Sequence, residues 1–368
     1  MRILFLITGL GMGGAERQVC DLADCFVSLG HDIQLVYLTG EALVKPASSK
    51  VQVIRIGMRK HPWDLVKAYF KVRKLISNFS PDVVHSHMVH ANLFARCLRL
   101  MVACPRLICT AHNTNEGGAL RMLAYRLTDR LADLTTNVSD EAVESFVSQK
   151  AAPKKRMMTM YNGIDTSIFK YDPEQRVRMR RCLGISDLDS VIIAVGRFSE
   201  QKDYSNLLHA FSIIKGTSSC LSLLIVGAGE LLEEMKLLST RLAIHEHVRF
   251  LGIRRDIPEL LCAADVFVLS SAWEGFGLVV AEAMACERVV VATDCGGVKE
   301  VVGDSGFLVP PRNATELATA LNKALHLTAS EKQAIGIAAR KRIENKYSLK
   351  TIAEAWLKIY QNTGNCYF

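Results

Sequence analysis

Two glutamates stand eight positions apart in the segment Glu274-Gly275-Phe276-Gly277-Leu278-Val279-Val280-Ala281-Glu282. Carboxylates accept hydrogen bonds from sugar hydroxyls. The glycines between them read as the start of a helix, whose first N–H groups can take phosphate oxygens. A glutamate in a helix is ordinarily solvated. Glu282, however, is surrounded by Val279, Val280, Ala281, Ala283 and Met284, which argues against an open face.

A second candidate is Gly196-Arg197-Phe198-Ser199-Glu200-Gln201-Lys202-Asp203-Tyr204. Arg197 and Lys202 flank a loop leading into a helix that Asp203 can cap. Arg as a fork and Lys as a point charge suit a diphosphate. The plain alternative is two solvated surface cations. A third is Thr8-Gly9-Leu10-Gly11-Met12-Gly13-Gly14-Ala15-Glu16-Arg17, whose glycines let a backbone approach a ligand at a helix start. Gly9, Gly11 and Gly14 satisfy G-x-G-x-x-G, a weak match by itself. The acidic residue that a dinucleotide site wants at the end of the second strand is missing, with Glu41 just beyond Val36–Gly40. A tight turn alone would explain one or two of these glycines.

Apolar runs of strand length alternate with segments of helical period, the pattern of parallel sheets covered by helices. Ile3–Thr8, Ile33–Leu38, Asp82–His85, Leu107–Ala111 and Leu134–Val138 read as strands of a first series. Val191–Gly196, Ser222–Gly227, Val248–Leu251, Val266–Ser270, Val289–Thr293 and Gly306–Pro310 form a second. Helices are predicted at 203–215, 230–243 and 278–286, and at 313–326, 331–344 and 348–361 near the end. The fold class is therefore α/β, with two doubly wound units in tandem. Their boundary lies near Tyr161-Asn162-Gly163-Ile164-Asp165. Ligands bind outside the carboxyl ends of such strands, so a cleft between the units is the expected site. The apolar start Met1–Ile7 could pass for a short signal segment. The glycine loop and helix directly after it favour a buried strand.

The chain has 368 residues, with 45 Lys+Arg against 37 Asp+Glu. Residues 1–162 hold 21 basic and 13 acidic residues, a balance of +8, and residues 163–368 hold 24 of each. The whole excess sits in the first half, where an anionic partner is expected. No run approaches the roughly 18 apolar residues of a membrane span. Eleven cysteines without C-x-x-C spacing read as reduced thiols. Asp187-Leu188-Asp189 precedes a strand at its amino end and reads as a turn. His85-Ser86-His87 and His90 have no Cys or carboxylate nearby to complete a metal site, and read as a loop over an acceptor pocket. No metal site is expected.

Glu274 and Glu282 match the E-x7-E motif of retaining nucleotide-sugar glycosyltransferases. With Gly13–Arg17, Gly196-Arg197-x4-Lys202, Asn162–Asp165 and Tyr347-Ser348 in the same order, nearly the whole chain resembles glycosyltransferase family 4. The resemblance implies the GT-B fold: two Rossmann-like domains facing across a cleft, with the last helix crossing back to the first. Residues 1–162 plus about 348–368 would form the acceptor domain, and 163–347 the donor domain. It implies that Arg197 and Lys202 bind the donor diphosphate, that Glu282 accepts ribose hydroxyls, and that Glu274 holds the transferred sugar. Phe276, Gly277 and Leu278 would help at the helix start, Gly13 and Gly14 from the other domain, and Ile253 and Arg254 beside the base. His112 matches the family's active-site histidine. A UDP-sugar donor of a hexose or N-acetylhexosamine, no cofactor and no metal are implied.

Arg59, Lys60, Lys67, Lys71, Arg73 and Lys74 cluster around Trp63, Tyr69 and Phe70, and Arg121, Arg126 and Arg130 form a second group. Basic residues interleaved with apolar ones suit an anionic membrane interface; two ordinary surface helices would carry the same pattern. The resemblance favours the membrane. It implies a peripheral enzyme at the cytoplasmic face of a bacterial inner membrane, acting on an undecaprenyl-diphosphate-linked saccharide in a surface polysaccharide such as O-antigen. Lys67, Lys71, Arg121, Arg126 and His87 are the acceptor-side candidates. Nucleic acid is not an expected partner, since no reader motif is present. A non-hydrolysing UDP-sugar epimerase shares the architecture. An NAD-dependent oxidoreductase would explain the first glycine loop but not E-x7-E.

Overall fold

A computed structural model describes residues 1–59, 61–114, 116–215 and 220–361. Lys60 and residues 362–368, named above, lie outside the described residues. The chain divides into two compact units. One runs from Met1 to Gly163 and resumes at Leu349; the other is Ile164–Ser348.

In the first unit, seven parallel strands are found among the described residues: β1 (Arg2–Ile7), β2 (Asp32–Tyr37), β3 (Gln52–Arg55), β4 (Val83–His87), β5 (Leu107–Thr110), β6 (Leu134–Asn137) and β7 (Met157–Thr159). Their order is β3-β2-β1-β4-β5-β6-β7, so the sheet changes direction between β1 and β4. Between them run α1 (Gly14–Ser28), α2 (Pro62–Phe79), α3 (Val89–Leu98), α4 (Ala119–Thr128) and α5 (Asp140–Ser148). Ile3 to Ile7 are wholly buried. That follows from covering a parallel sheet on both faces, which turns a central strand into an unbroken apolar run.

In the second unit the helices are α6 (Pro173–Cys182), α7 (Tyr204–Lys215), α8 (Leu232–Arg241), α9 (Ile257–Ala263), α10 (Leu278–Ala285), α11 (Val298–Val302), α12 (Ala314–His326) and α13 (Ala329–Lys346). They surround six parallel strands among the described residues: β8 (Ser190–Val195), β9 (Leu221–Val226), β10 (Val248–Phe250), β11 (Val266–Leu269), β12 (Val289–Thr293) and β13 (Phe307–Val309). The order β10-β9-β8-β11-β12-β13 reverses between β8 and β11. The last helix, α14 (Leu349–Gln361), returns to the first unit. There Ile352, Ala353, Trp356 and Tyr360 join α1 and the sheet in one core.

Two points depart from the sequence pattern. Strand β4 continues through Ser86 to His87, and all five of its residues are buried. His85-Ser86-His87 is therefore no loop, and His87 is no surface acceptor or membrane contact. Its main chain pairs in register with Ile7 and Thr110, which the local sequence does not record. The edge strands β3 and β7, short and partly exposed, carry too weak an alternation to be read. Among the described residues no helix is long and apolar enough to cross a membrane.

Candidate active site

The point where strand order reverses is where open α/β sheets leave a crevice at their carboxyl edge. In the second unit this point is flanked by the loop after β8, which carries Arg197 and Lys202, and the loop after β11, which carries Glu274. The structure joins them. Lys202 Nζ lies 2.5 Å from Glu274 Oε1, with the side chains only 15% and 9% exposed. Ser271 Oγ donates to the same carboxylate oxygen at 2.7 Å. Gln201 Nε2 donates to Trp273 O at 3.1 Å and to Glu274 Oε2 at 3.4 Å. Ser270 Oγ donates to Lys202 O at 2.8 Å, so the two loops are laced by main chain and side chain alike.

Small residues make this approach possible. A Cβ on Gly196 would stand 2.9 Å from Lys202 Cε and 3.1 Å from the Tyr204 hydroxyl, so glycine leaves the lane through which Lys202 reaches Glu274. Gly296, at φ +57°, lies against the Glu274 carbonyl where any side chain would collide. Asp203 caps α7 by accepting from Asn206 N at 3.3 Å. Arg197 is exposed, and its guanidinium has no partner among the described residues. Sequence reasoning missed Ser271, Gln201 and Gly296. The only local signal was a polar, glycine-containing stretch at strand ends.

Gly277, at φ +83°, is the N-cap of α10, and Leu278 begins the helix. Phe276 is buried, with its ring edge-on to Tyr347 at 5.6 Å between centroids. Glu282 lies further along α10 and is partly exposed. Ile253 and Arg254 follow β10. Ile253 is exposed, and the Arg254 guanidinium is occupied by Asp256, at 2.5 and 2.8 Å. That pairing holds the Asp256 carboxyl below the usual carboxylate range.

In the first unit, Gly13 is the N-cap of α1 and Gly14 its first residue. The Glu16 carboxylate folds back to where a Gly13 side chain would start. At the β1/β4 reversal, His87 ends β4, and Met88 follows at φ +72°, a strained value for a residue with a side chain. His87 Nδ1 lies 3.1 Å from His112 Nε2, beyond the end of β5. His112 N donates to Glu116 Oε1 at 3.0 Å, and Glu116 is buried. Burial lowers the His112 pKa to about 4 and carries those of His85 and His87 well below the ordinary histidine value. All three rings are neutral at pH 7. Among the described residues no three His, Cys, Asp or Glu side chains are placed together to hold a metal ion.

Lys67 and Lys71 are exposed on α2, on which Trp63, Val66 and Phe70 also form an exposed apolar stripe at helical spacing. On α4, Leu120, Leu123 and Leu127 do the same beside Arg126. Arg121 donates to Glu116 O at 2.8 Å, so it also clasps the loop after His112. Arg126, Arg130, Lys150, Lys155 and Arg156 line a cavity of about 710 Å³ at the amino edge of β6 and β7.

A family model described as glycosyl transferases group 1 matches residues 176–342, and one described as glycosyltransferase family 4 matches residues 12–168. The alpha-maltose-1-phosphate synthase of Mycolicibacterium smegmatis is 30% identical, over 77% of this chain and 79% of its own. The N-acetylgalactosamine-N,N'-diacetylbacillosaminyl-diphospho-undecaprenol 4-alpha-N-acetylgalactosaminyltransferase of Campylobacter jejuni is 26% identical, over 82% of this chain and 83% of its own. HepE of Anabaena, solved in complex with UDP and glucose, superposes with a TM-score of 0.86 at 24% identity, over 98% of this chain and 99% of that one. At that identity the likeness is one of fold.

Proposed function

The chain belongs to glycosyltransferase family 4, with the GT-B fold, and from that premise we propose that it moves a hexose or N-acetylhexosamine from a UDP-sugar to a saccharide carried on undecaprenyl diphosphate. The observation that carries this reading is the Lys202–Glu274 pair at the β8/β11 reversal. It sets a cation for phosphate and a carboxylate for sugar hydroxyls side by side.

In this reading the donor diphosphate takes up Arg197 and Lys202. Lys202 moves from the carboxylate to the phosphate, and Glu274, still held by Ser271, turns its freed lone pairs to the sugar hydroxyls. The N–H groups of Phe276, Gly277 and Leu278, at and just before the start of α10, add their dipoles, and Glu282 receives the ribose hydroxyls. The base lies against the main chain at Ile253 and Arg254. As the bond from the sugar C1 to the diphosphate breaks, charge develops on phosphate, where fixed cations and dipoles stabilise it most. The acceptor oxygen bonds to C1 on the face the diphosphate leaves, and its proton passes to the departing phosphate oxygen. The configuration at C1 is retained, and the positive charge comes from the chain itself. Gly13, Gly14 and His112 serve the sugar and phosphate from the first unit.

The named activity of the Campylobacter relative supports a lipid-diphosphate acceptor. The UDP held by HepE supports the nucleotide. Exposed apolar stripes beside Lys67, Lys71 and Arg126 support docking on an anionic membrane. In this reading the enzyme works at the cytoplasmic face, in assembly of a surface polysaccharide such as O-antigen. The test is a panel of UDP-sugars with synthetic undecaprenyl-diphosphate-N-acetylglucosamine, followed by anomeric analysis of the product. Transfer with retention is expected. Conversion of donor without any acceptor would support an epimerase instead.

A further inference from the structure

We propose that His87 is a positioning residue whose Nδ1, 3.1 Å from His112 Nε2, fixes the orientation of the His112 ring and couples its tautomer to that of His87. For catalysis this rests on the reading that His112 faces the transferred sugar; for the tautomer it rests on geometry alone.

His87 is itself immobile. It ends β4, is 1% exposed, and is followed by the strained Met88. Its ring lies tilted against His85, at 4.0 Å between centroids, and 5.5 Å from Phe5. His85 is pinned at both nitrogens, by the Tyr360 hydroxyl at 2.6 Å and by Thr110 Oγ1 at 2.7 Å. A chain of buried groups therefore runs from α14 through His85 and His87 to His112. Glu116 fixes the main chain of His112 from the other side. What remains is the imidazole rotation, and the bond to His87 sets it.

Two neutral imidazoles that share one hydrogen bond hold a single proton between them. If it sits on His87 Nδ1, His112 Nε2 is bare and its own proton is on Nδ1. If it sits on His112 Nε2, His87 Nδ1 is bare and its proton is on Nε2. The two rings therefore always carry the same tautomer. His87 Nε2 and His112 Nδ1, both buried and without a protein partner among the described residues, always present one donor and one acceptor.

The test uses the full chain with ¹⁵N-labelled histidine and two-bond nitrogen–proton correlation spectra at pH 7.5, with His112→Asn and His87→Asn used for assignment. Both rings are expected to show the same tautomer or the same ratio of tautomers. His87→Phe should change the His112 ratio. His87→Asn, which places an amide near the old Nδ1, should keep the His112 ring hydrogen-bonded and its spectrum nearer the wild type. On the donor panel, His87→Phe should lower kcat about tenfold with the donor KM within about twofold, and His87→Asn should recover most of it. Opposite tautomers on the two rings overturn the proposal, as does an unchanged His112 spectrum in His87→Phe. Equal kcat for the Phe and Asn variants does the same. If His87→Phe does not fold, the wild-type and His87→Asn spectra still decide. If the panel shows no transfer, the proposed donor or acceptor is at fault and the spectra stand apart from it.

Discussion

Lys202 Nζ stands 2.5 Å from Glu274 Oε1, and this ion pair ties the loop after β8 to the loop after β11 across a separation of 72 residues. The pair is largely withdrawn from water, so neither charge can be removed alone without leaving the other badly solvated. Lys202→Ala is expected to destabilise the protein by about 2 kcal/mol, less than the roughly 3–5 of a wholly dry pair because Ser271 and Gln201 remain. Lys202→Ala/Glu274→Ala should regain part of that stability and none of the transfer. Urea unfolding and turnover measured on both single variants and the double variant complete the cycle.

Arg197 should behave in the opposite way. Its side chain is exposed and holds nothing in the fold. Arg197→Ala is expected to shift stability by less than about 0.5 kcal/mol while transfer falls roughly 10²-fold or more. A melting curve beside a UDP-release assay checks this, and a large loss of stability with intact turnover would refute it.

The lane beside Gly196 predicts a loss of function caused by a single methyl group. Gly196→Ala places carbon 2.9 Å from Lys202 Cε, too close for a van der Waals contact. The end of the Lys202 side chain must then shift from its place beside Glu274. Transfer should fall by about tenfold or more, and UDP affinity should weaken with it, as titration calorimetry would report.

The histidine cluster gives the fold a defined acid sensitivity. A histidine whose native pKa lies below its unfolded value binds fewer protons when folded, so stability rises with pH. The contribution is complete above about pH 6.5 and is lost as pH falls toward the native value, about 4 for His112. At pH 5, His112 alone accounts for a loss of roughly 2 kcal/mol. His85 and His87 shift in the same direction. Unfolding at pH 7.5 and pH 5 should show the drop, and His112→Gln should reduce it.

Membrane docking can be separated from catalysis. Trp63→Ala/Phe70→Ala and Lys67→Glu/Lys71→Glu alter exposed positions on α2. Each double variant should float less with vesicles containing anionic phospholipid. The aromatic variant alone should lose its residual binding at high salt, since what remains to it is electrostatic and only that part is screened. Both should keep wild-type melting temperatures, and flotation equal to wild type in both would count against α2 as the docking face.

The sequence by itself determined the elements and the chemistry available at their ends. Apolar runs such as Ile3–Ile7 and Val289–Thr293 read as covered strands, and helical spacing in Val19, Leu22, Ala23 and Phe26 marks a buried face. Arg197, Lys202, Glu274 and the glycines could be noticed because residue type and local spacing are written along the chain. Strand order and register are not, because parallel partners are joined through long crossovers and meet only on folding. Tertiary structure alone decided that Lys202 reaches Glu274, that β4 runs on to bury His87, and that His87 meets His112 across 25 residues. It decided too that Tyr360, from the far end of the chain, holds His85 across 275 residues. Each depends on segments far apart in the chain that only the fold brings together, so no local pattern could have recorded it.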